Sequence, residues 1–287
     1  MIKIIDTYSQ INSLFENGMF IQAKWESYIN SIYDNSAHFF IGDLNECLDS
    51  GNYDYKKDVL SVLNAVYNNP KLEILHSSFL KIIENLDEKV INHFEQEINI
   101  DIVLYLGLCN GAGWVTNING RDVILLGIEK ILELNWYDEK SMCGLIYHEL
   151  GHVYQKQYGN FYQSSDVSTK NFVWQLFIEG IAMYFEQVLV NDLNFYHQNK
   201  NDWLKWCENH FQQICVDFHN DLPTMTKSKQ RYFGDWVNYY GKGDVGYFLG
   251  TKFVQKLTTK YDFNQLINLK IDDVYEEYLF FTRYHND

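Results

Sequence analysis

Five consecutive residues in mid-chain, His148-Glu149-Leu150-Gly151-His152, constrain the fold more than any other stretch. Met142, Leu145 and Ile146 precede them, and Val153 and Tyr154 follow, at spacings that predict a largely buried helix. Residues four apart share one helical face, so the two imidazoles point the same way and offer two nitrogen ligands to one divalent ion. Glu149 stands about 100° round the helix from His148, which makes it a poor ligand but lets it reach a water on such an ion. Catalytic zinc takes three protein ligands and leaves one position open, so a third ligand is expected from a later element.

The next apolar segment supplies the candidate. It reads Phe177-Ile178-Glu179-Gly180-Ile181-Ala182-Met183-Tyr184-Phe185-Glu186. An unpaired carboxylate is costly to bury in such surroundings, and zinc would relieve that cost at Glu179. Gly180 and Ala182 are small enough for two helices to approach closely around a metal. Glu186, on the same helix, is the reserve ligand.

The rest of the chain predicts an α+β fold, mostly helical, with a small sheet before the metal helix. Residues 1–98 read as helical throughout. Ile102 to Leu108 is a dense apolar run, expected as a strand buried on both faces. Trp114 to Ile118 and Val123 to Gly127 are two further strands joined by Asn119-Gly120, a strong hairpin signal. Asp138 is the expected N-cap of the metal helix, and Asp166 or Ser168 that of the next. Gly246 to Leu257 and Asp272 to Phe281 are expected as closing helices. The reading is of an N-terminal helical region, 1–98, and a catalytic region, 99–287, in one compact body. Histidines outside the motif are scattered and carry no metal role.

Composition narrows the function. A formal charge of −15 argues against binding nucleic acid through a global field. Five widely spaced cysteines, with no C-x-x-C, argue against a disulfide framework or a cysteine-type zinc site. No signal peptide stands at the start, and no run is long enough to span a bilayer, so a reduced, cytoplasmic protein is expected.

With these residues in view, the chain resembles the gluzincins, zinc metallopeptidases of the thermolysin-like superfamily. The matching residues are His148-Glu149-Leu150-Gly151-His152 and Glu179-Gly180-Ile181-Ala182. More narrowly it resembles a bacterial family of predicted zinc-dependent proteases, which pairs His-Glu-x-Gly-His with Glu-Gly-x-Ala. That family is similar further on as well, at Gly246-Tyr247-Phe248-Leu249-Gly250. The resemblance covers about residues 100 to 260. It implies a zincin-like fold, Zn2+ held by His148, His152 and Glu179, and Glu149 as general base. It also implies that Asn110, Gly111, Ala112 and Gly113 edge the cleft where an extended peptide or protein substrate binds.

Tyr247 is the expected oxyanion donor, with Tyr239, Tyr240 and His219 as alternatives. The chain departs from the thermolysin pattern at Met183, where that pattern has an acidic residue orienting a zinc-bound histidine. The expected activity is peptide hydrolysis. A non-catalytic peptide- or protein-binding module is the alternative, and hydrolysis of another amide or an ester is left open.

Overall fold

The computed structural model describes residues 1–49, 51, 53–234 and 237–286. Helix makes up 58% of the chain beside a small mixed sheet, so the fold is α+β and mostly helical. Residue contacts divide the chain into two compact units, Met1–Glu149 and Leu150–Asp287.

The first unit is built on strands β1 (Ile2–Asp6), β2 (Phe15–Glu16), β3 (Met19–Phe20), β4 (Ile100–Tyr105), β5 (Gly113–Ile118) and β6 (Arg121–Gly127). β2 and β3 form a small ribbon, and the others form one sheet in the order β1-β4-β6-β5. The apolar run predicted as a central strand is β4, and Ile102, Val103 and Leu104 are fully buried in it. β5 and β6 pair antiparallel across Asn119 and Gly120, with φ of 52° and 81°. Both values are left-handed, as the tight primed hairpin turn requires. β5 therefore ends the sheet.

Residues 1–98 are not helical throughout. β1 runs parallel to β4, with Ile2 opposite Ile100 and Asp6 opposite Leu104. This unit also holds helices α1 (Gln22–Ile32), α2 (Ala37–Asp49), α3 (Ser61–Asn64), α4 (Lys71–Ile83), α5 (Leu86–Phe94) and α6 (Ile128–Glu133). α1 is bonded to the end of β4. The Tyr28 hydroxyl donates to Thr7 Oγ1 at 2.6 Å and accepts the Leu106 N–H at 3.0 Å. Trp25 Nε1 donates to the Leu106 carbonyl at 2.9 Å.

The loop from β4 to β5 is held by Glu129 at the start of α6. Its carboxylate accepts the N–H of Gly107 at 2.8 Å and of Cys109 at 3.0 Å. Asn110 Nδ2 donates to Asp43 Oδ2 at 2.7 Å, fixing the same loop to α2.

Helix α7 (Glu139–Tyr158) runs across the division between the units. Asp138 caps it as expected, accepting the Ser141 N–H at 3.0 Å. The second unit continues with α8 (Ser168–Val190), α9 (Trp203–Asn209), α10 (Phe211–Asp221), α11 (Val245–Leu257), α12 (Phe263–Ile267) and α13 (Ile271–Asn286). Neither Asp166 nor Ser168 caps α8. Val167 takes that position without a side-chain bond, and Asn171 instead reaches back to the N–H and carbonyl of Ser165, both at 2.8 Å.

α8 is the core helix of this unit, and α11 crosses it at glycines. A Cβ on Gly180 would lie 2.3 Å from the Gly250 carbonyl oxygen, and one on Gly250 2.5 Å from that of Leu176. The Gly-Tyr-x-x-Gly segment and the Glu-Gly-x-Ala segment are thus the two sides of one contact. By length and mean hydropathy, 1.2 over its most apolar window, α8 is also able to cross a membrane, although the sequence reading expected no such run. Two-thirds of that window is buried within the protein, the pattern of a core helix.

Burial raises the Glu129 carboxyl to about 7, although the Gly107 N–H it accepts favours the charged form. A raised carboxyl holds its proton in the folded chain after the unfolded chain has lost it. Its contribution therefore favours folding below the ordinary carboxyl pKa and is lost as pH rises towards 7. In Glu129→Gln this component is absent. The stability of the variant relative to the parent should improve by about 3 kcal/mol between roughly pH 4 and pH 8. Urea unfolding at a series of pH values measures this, and a difference independent of pH contradicts it.

Candidate metal centre

The site begins with the helical geometry of α7. His148 is 4% exposed and Glu149 6%, so two polar side chains of this turn are buried at once. Between Glu149 and His152 stands Gly151, where α8 lies against α7. A Cβ on Gly151 would come within 2.7 Å of Ala182 Cα and 3.0 Å of Phe185 Cβ. Ala182 follows Glu179 by three residues and shares its face of α8. The small pair thereby lets the next residue of α7, His152, and the preceding turn of α8, Glu179, meet.

They do so at 3.3 Å, between His152 Nε2 and Glu179 Oε2, both side chains mostly buried. One ligand atom from each of His148, His152 and Glu179 lies within 4.8 Å of the other two. The spacing fits a metal. Ligands held tetrahedrally at zinc distances stand about 3.3 Å apart, whereas a charge-assisted hydrogen bond closes to about 2.8 Å. The donor set, two imidazoles and one carboxylate, is also that of a catalytic zinc with an open position.

Glu149 is set against the first residue of β5. A Cβ on Gly113 would lie 3.0 Å from Glu149 Oε1, 3.1 Å from its Cγ and 2.8 Å from Leu145 Cδ1. Glycine at this position is what admits the carboxylate. The other three residues expected along the substrate edge serve the fold. Asn110 is tied to Asp43 and to the Phe40 carbonyl, the Ala112 carbonyl accepts the Gly127 N–H at 3.0 Å, and the Gly111 carbonyl packs on Gly127.

Glu186, the reserve ligand, is spent elsewhere. It is fully buried, and its carboxylate accepts the His197 N–H at 3.1 Å and lies 2.9 Å from His197 Nδ1. Burial pushes His197 down to about 3, so its imidazole is neutral and donates from Nδ1. This pair anchors the segment after α8. Met183 is buried beside Gln198, whose Nε2 lies 3.6 Å from Met183 Sδ.

Tyr247 is half-buried in the first turn of α11, its ring edge-on to Phe233 at 6.0 Å. That contact assigns it no role at the metal. Tyr239 is buried and donates to Asp217 at 2.9 Å, and burial with this carboxylate holds its phenol well above the ordinary value. Tyr240 is 69% exposed, and His219 lies beside the Tyr278 hydroxyl.

Two residues that the sequence reading passed over adjoin the centre. The Phe161 ring stands edge-on to His152 at 5.8 Å, and the Tyr162 ring follows Phe161 at 5.0 Å. They lie in a polar loop with no periodicity, so only their position soon after the metal helix could have singled them out.

Comparison of the chain with family models, curated proteins and solved structures returns no match. The likeness to gluzincins therefore rests on the motif residues alone.

The α7–α8 contact is directly testable. Gly151→Ala places a methyl group against backbone that cannot yield cheaply, and overpacking of this kind costs about 1–3 kcal/mol. It should lower thermal stability and, by separating Glu179 from His152, weaken zinc binding by about tenfold or more. Unchanged stability together with unchanged zinc affinity would show that the contact does not position the ligand.

Proposed function

We propose that the chain is a zinc-dependent peptidase of the gluzincin kind, with a zincin-like fold and His148, His152 and Glu179 as metal ligands. The observation that carries this reading is the convergence of one ligand atom each from His148, His152 and Glu179 within 4.8 Å of one another, beside the buried Glu149. A structural site has no use for that glutamate. Zinc bound there would acidify a coordinated water and polarise the scissile carbonyl. Glu149 takes the proton from the water and returns it to the leaving amine.

Peptide as substrate is supported by β5. It is the last strand of the sheet among the described residues, the position at which an extended chain could pair. It also begins at Gly113, against Glu149, so a peptide laid along that edge passes the general base.

Glu149→Gln should retain zinc at parent stoichiometry and lose peptide hydrolysis by a factor of about 10² or more. Hydrolysis at the parent rate would refute the base assignment. Glu179→Ala should weaken zinc binding sharply, by about 10² or more, as removal of one of three ligands does; unchanged affinity in a metal titration would refute the ligand.

Gly113→Ala tests the third element of the site. The clashing atoms all belong to side chains, Leu145 Cδ1 and Glu149 Oε1 and Cγ, and not to backbone, so the fold should hold while Glu149 shifts. A displacement of that size should lower kcat by about 10–100-fold with zinc content unchanged. An unaltered kcat would separate Gly113 from the chemistry.

A further inference from the structure

Resting on the peptidase reading, we infer that the peptide received along β5 is a cationic one, drawn and held by unneutralised carboxylates of the chain segment that flanks this strand. Residues 25–55 hold Glu26, Asp34, Asp43, Glu46, Asp49 and Asp54, and no lysine or arginine. None of the six has a cationic partner among the described residues. Elsewhere acids are met by cations, as Asp101 is by Lys3 and Arg121, and as Asp217 and Asp221 are by Arg231.

Three contacts lay this segment along the length of β5. At one end Asn119 Nδ2 donates to the Asp34 carbonyl at 2.7 Å, and at the other Asn110 Nδ2 donates to Asp43 Oδ2 at 2.7 Å. Between them the Phe39 ring stacks on that of Trp114, the second residue of the strand, with centroids 5.6 Å apart. Phe39, Asp43 and Glu46 follow at the spacing of one helical face, so the side of α2 that meets β5 is a side that carries acids. Asp34 and Glu46 are exposed, the first at one end contact and the second one turn beyond the other.

This charge costs the fold. Asp43, Glu46 and Asp49 recur every three residues, so like charges are neighbours along α2. Glu46 and Asp49 also fall in its last turn, at the negative end of the helix dipole, where no basic residue offsets them. A cation brought by a bound chain relieves both. Side chains of a strand paired with β5 alternate between the two faces of the sheet. Those on the face of Trp114 meet α2, where a lysine or arginine is attracted and an acid is repelled. The others fall on the face of Gly113 and Glu149.

The test uses the full-length, zinc-loaded protein and two peptides of one sequence, with either lysine or glutamine at alternate residues. The parent should favour the lysine peptide by about tenfold or more in kcat/KM at low ionic strength, carried mainly by KM. The preference should shrink several-fold in about 0.5 M NaCl. Asp34→Asn with Glu46→Gln should cut it to about a third or less. The bond from Asn119 uses the Asp34 carbonyl, so this pair of changes leaves the three contacts in place. Glu73→Gln with Glu84→Gln removes the same charge at α4 and should keep the preference. Equal rates for the two peptides in the parent overturn the inference. So does a preference unchanged in Asp34→Asn with Glu46→Gln, or an equal fall in both double variants, which would assign the effect to net charge alone.

A second arm needs no turnover. Fluorescently labelled forms of the two peptides are titrated with zinc-loaded Glu149→Gln protein and followed by anisotropy. If the parent cleaves neither peptide, the peptidase reading fails. Tighter binding of the lysine peptide, lost when Asp34→Asn and Glu46→Gln are added, still upholds the acidic edge, and equal binding of the two peptides overturns it.

Discussion

The centre depends on how closely two helices pass. α7 carries two histidines and a glutamate on one turn, and without a second helix that turn has only two ligands to offer. The contact of Gly151 with Ala182 brings α8 near enough for Glu179 to stand 3.3 Å from His152. A methyl group on Gly151 would fall within 2.7 Å of backbone, so the approach has no slack. Gly180 repeats the device on the other side of α8, where Gly250 brings in α11. The backbone that carries Glu179 is thus packed between two close helix contacts, at Gly151 and at Gly250.

α8 shows two ways of keeping a carboxylate inside a protein. Glu186 is fully buried and is satisfied by the backbone and ring of His197, which burial keeps neutral. Glu179, seven residues earlier on the same helix, stands 3.3 Å from the His152 imidazole, longer than a strong charge-assisted hydrogen bond and compatible with a shared cation. The two acids look alike in composition and context. The partner each one meets decides which anchors the fold and which can hold a metal.

Much of this was legible in the chain, and what was hidden has identifiable causes. The helical spacing of His148 and His152, the apolar setting of Glu179 and the small residue at 182 are local patterns, and each is found where it was expected; Gly180, expected beside the metal with Ala182, instead faces α11. The sequence favours Glu179 over Glu186 without deciding between them, because the choice turns on His197, which approaches from a loop. The hairpin at Asn119-Gly120 was legible from its turn residues. Asn17-Gly18 carries the same signal, with φ of 50° and 79°, yet its strands are two residues each and show no alternation. β1 was missed because its partner, β4, lies nearly a hundred residues away, and parallel pairing leaves no local trace. Gly113 was seen as a residue allowing close approach, but that it approaches the Glu149 carboxylate depends on the path of a loop fixed by Glu129 and Asp43.

The central claim is that one carboxylate and two imidazoles share a divalent ion with a solvent molecule beside it. X-ray absorption at the zinc edge of the metal-loaded protein measures this most directly. The account predicts a sphere of light atoms at about 2.0–2.1 Å, with two imidazole scattering patterns and the remaining ligands oxygen. A sulfur shell at about 2.3 Å, or a sphere without the two imidazoles, would contradict it.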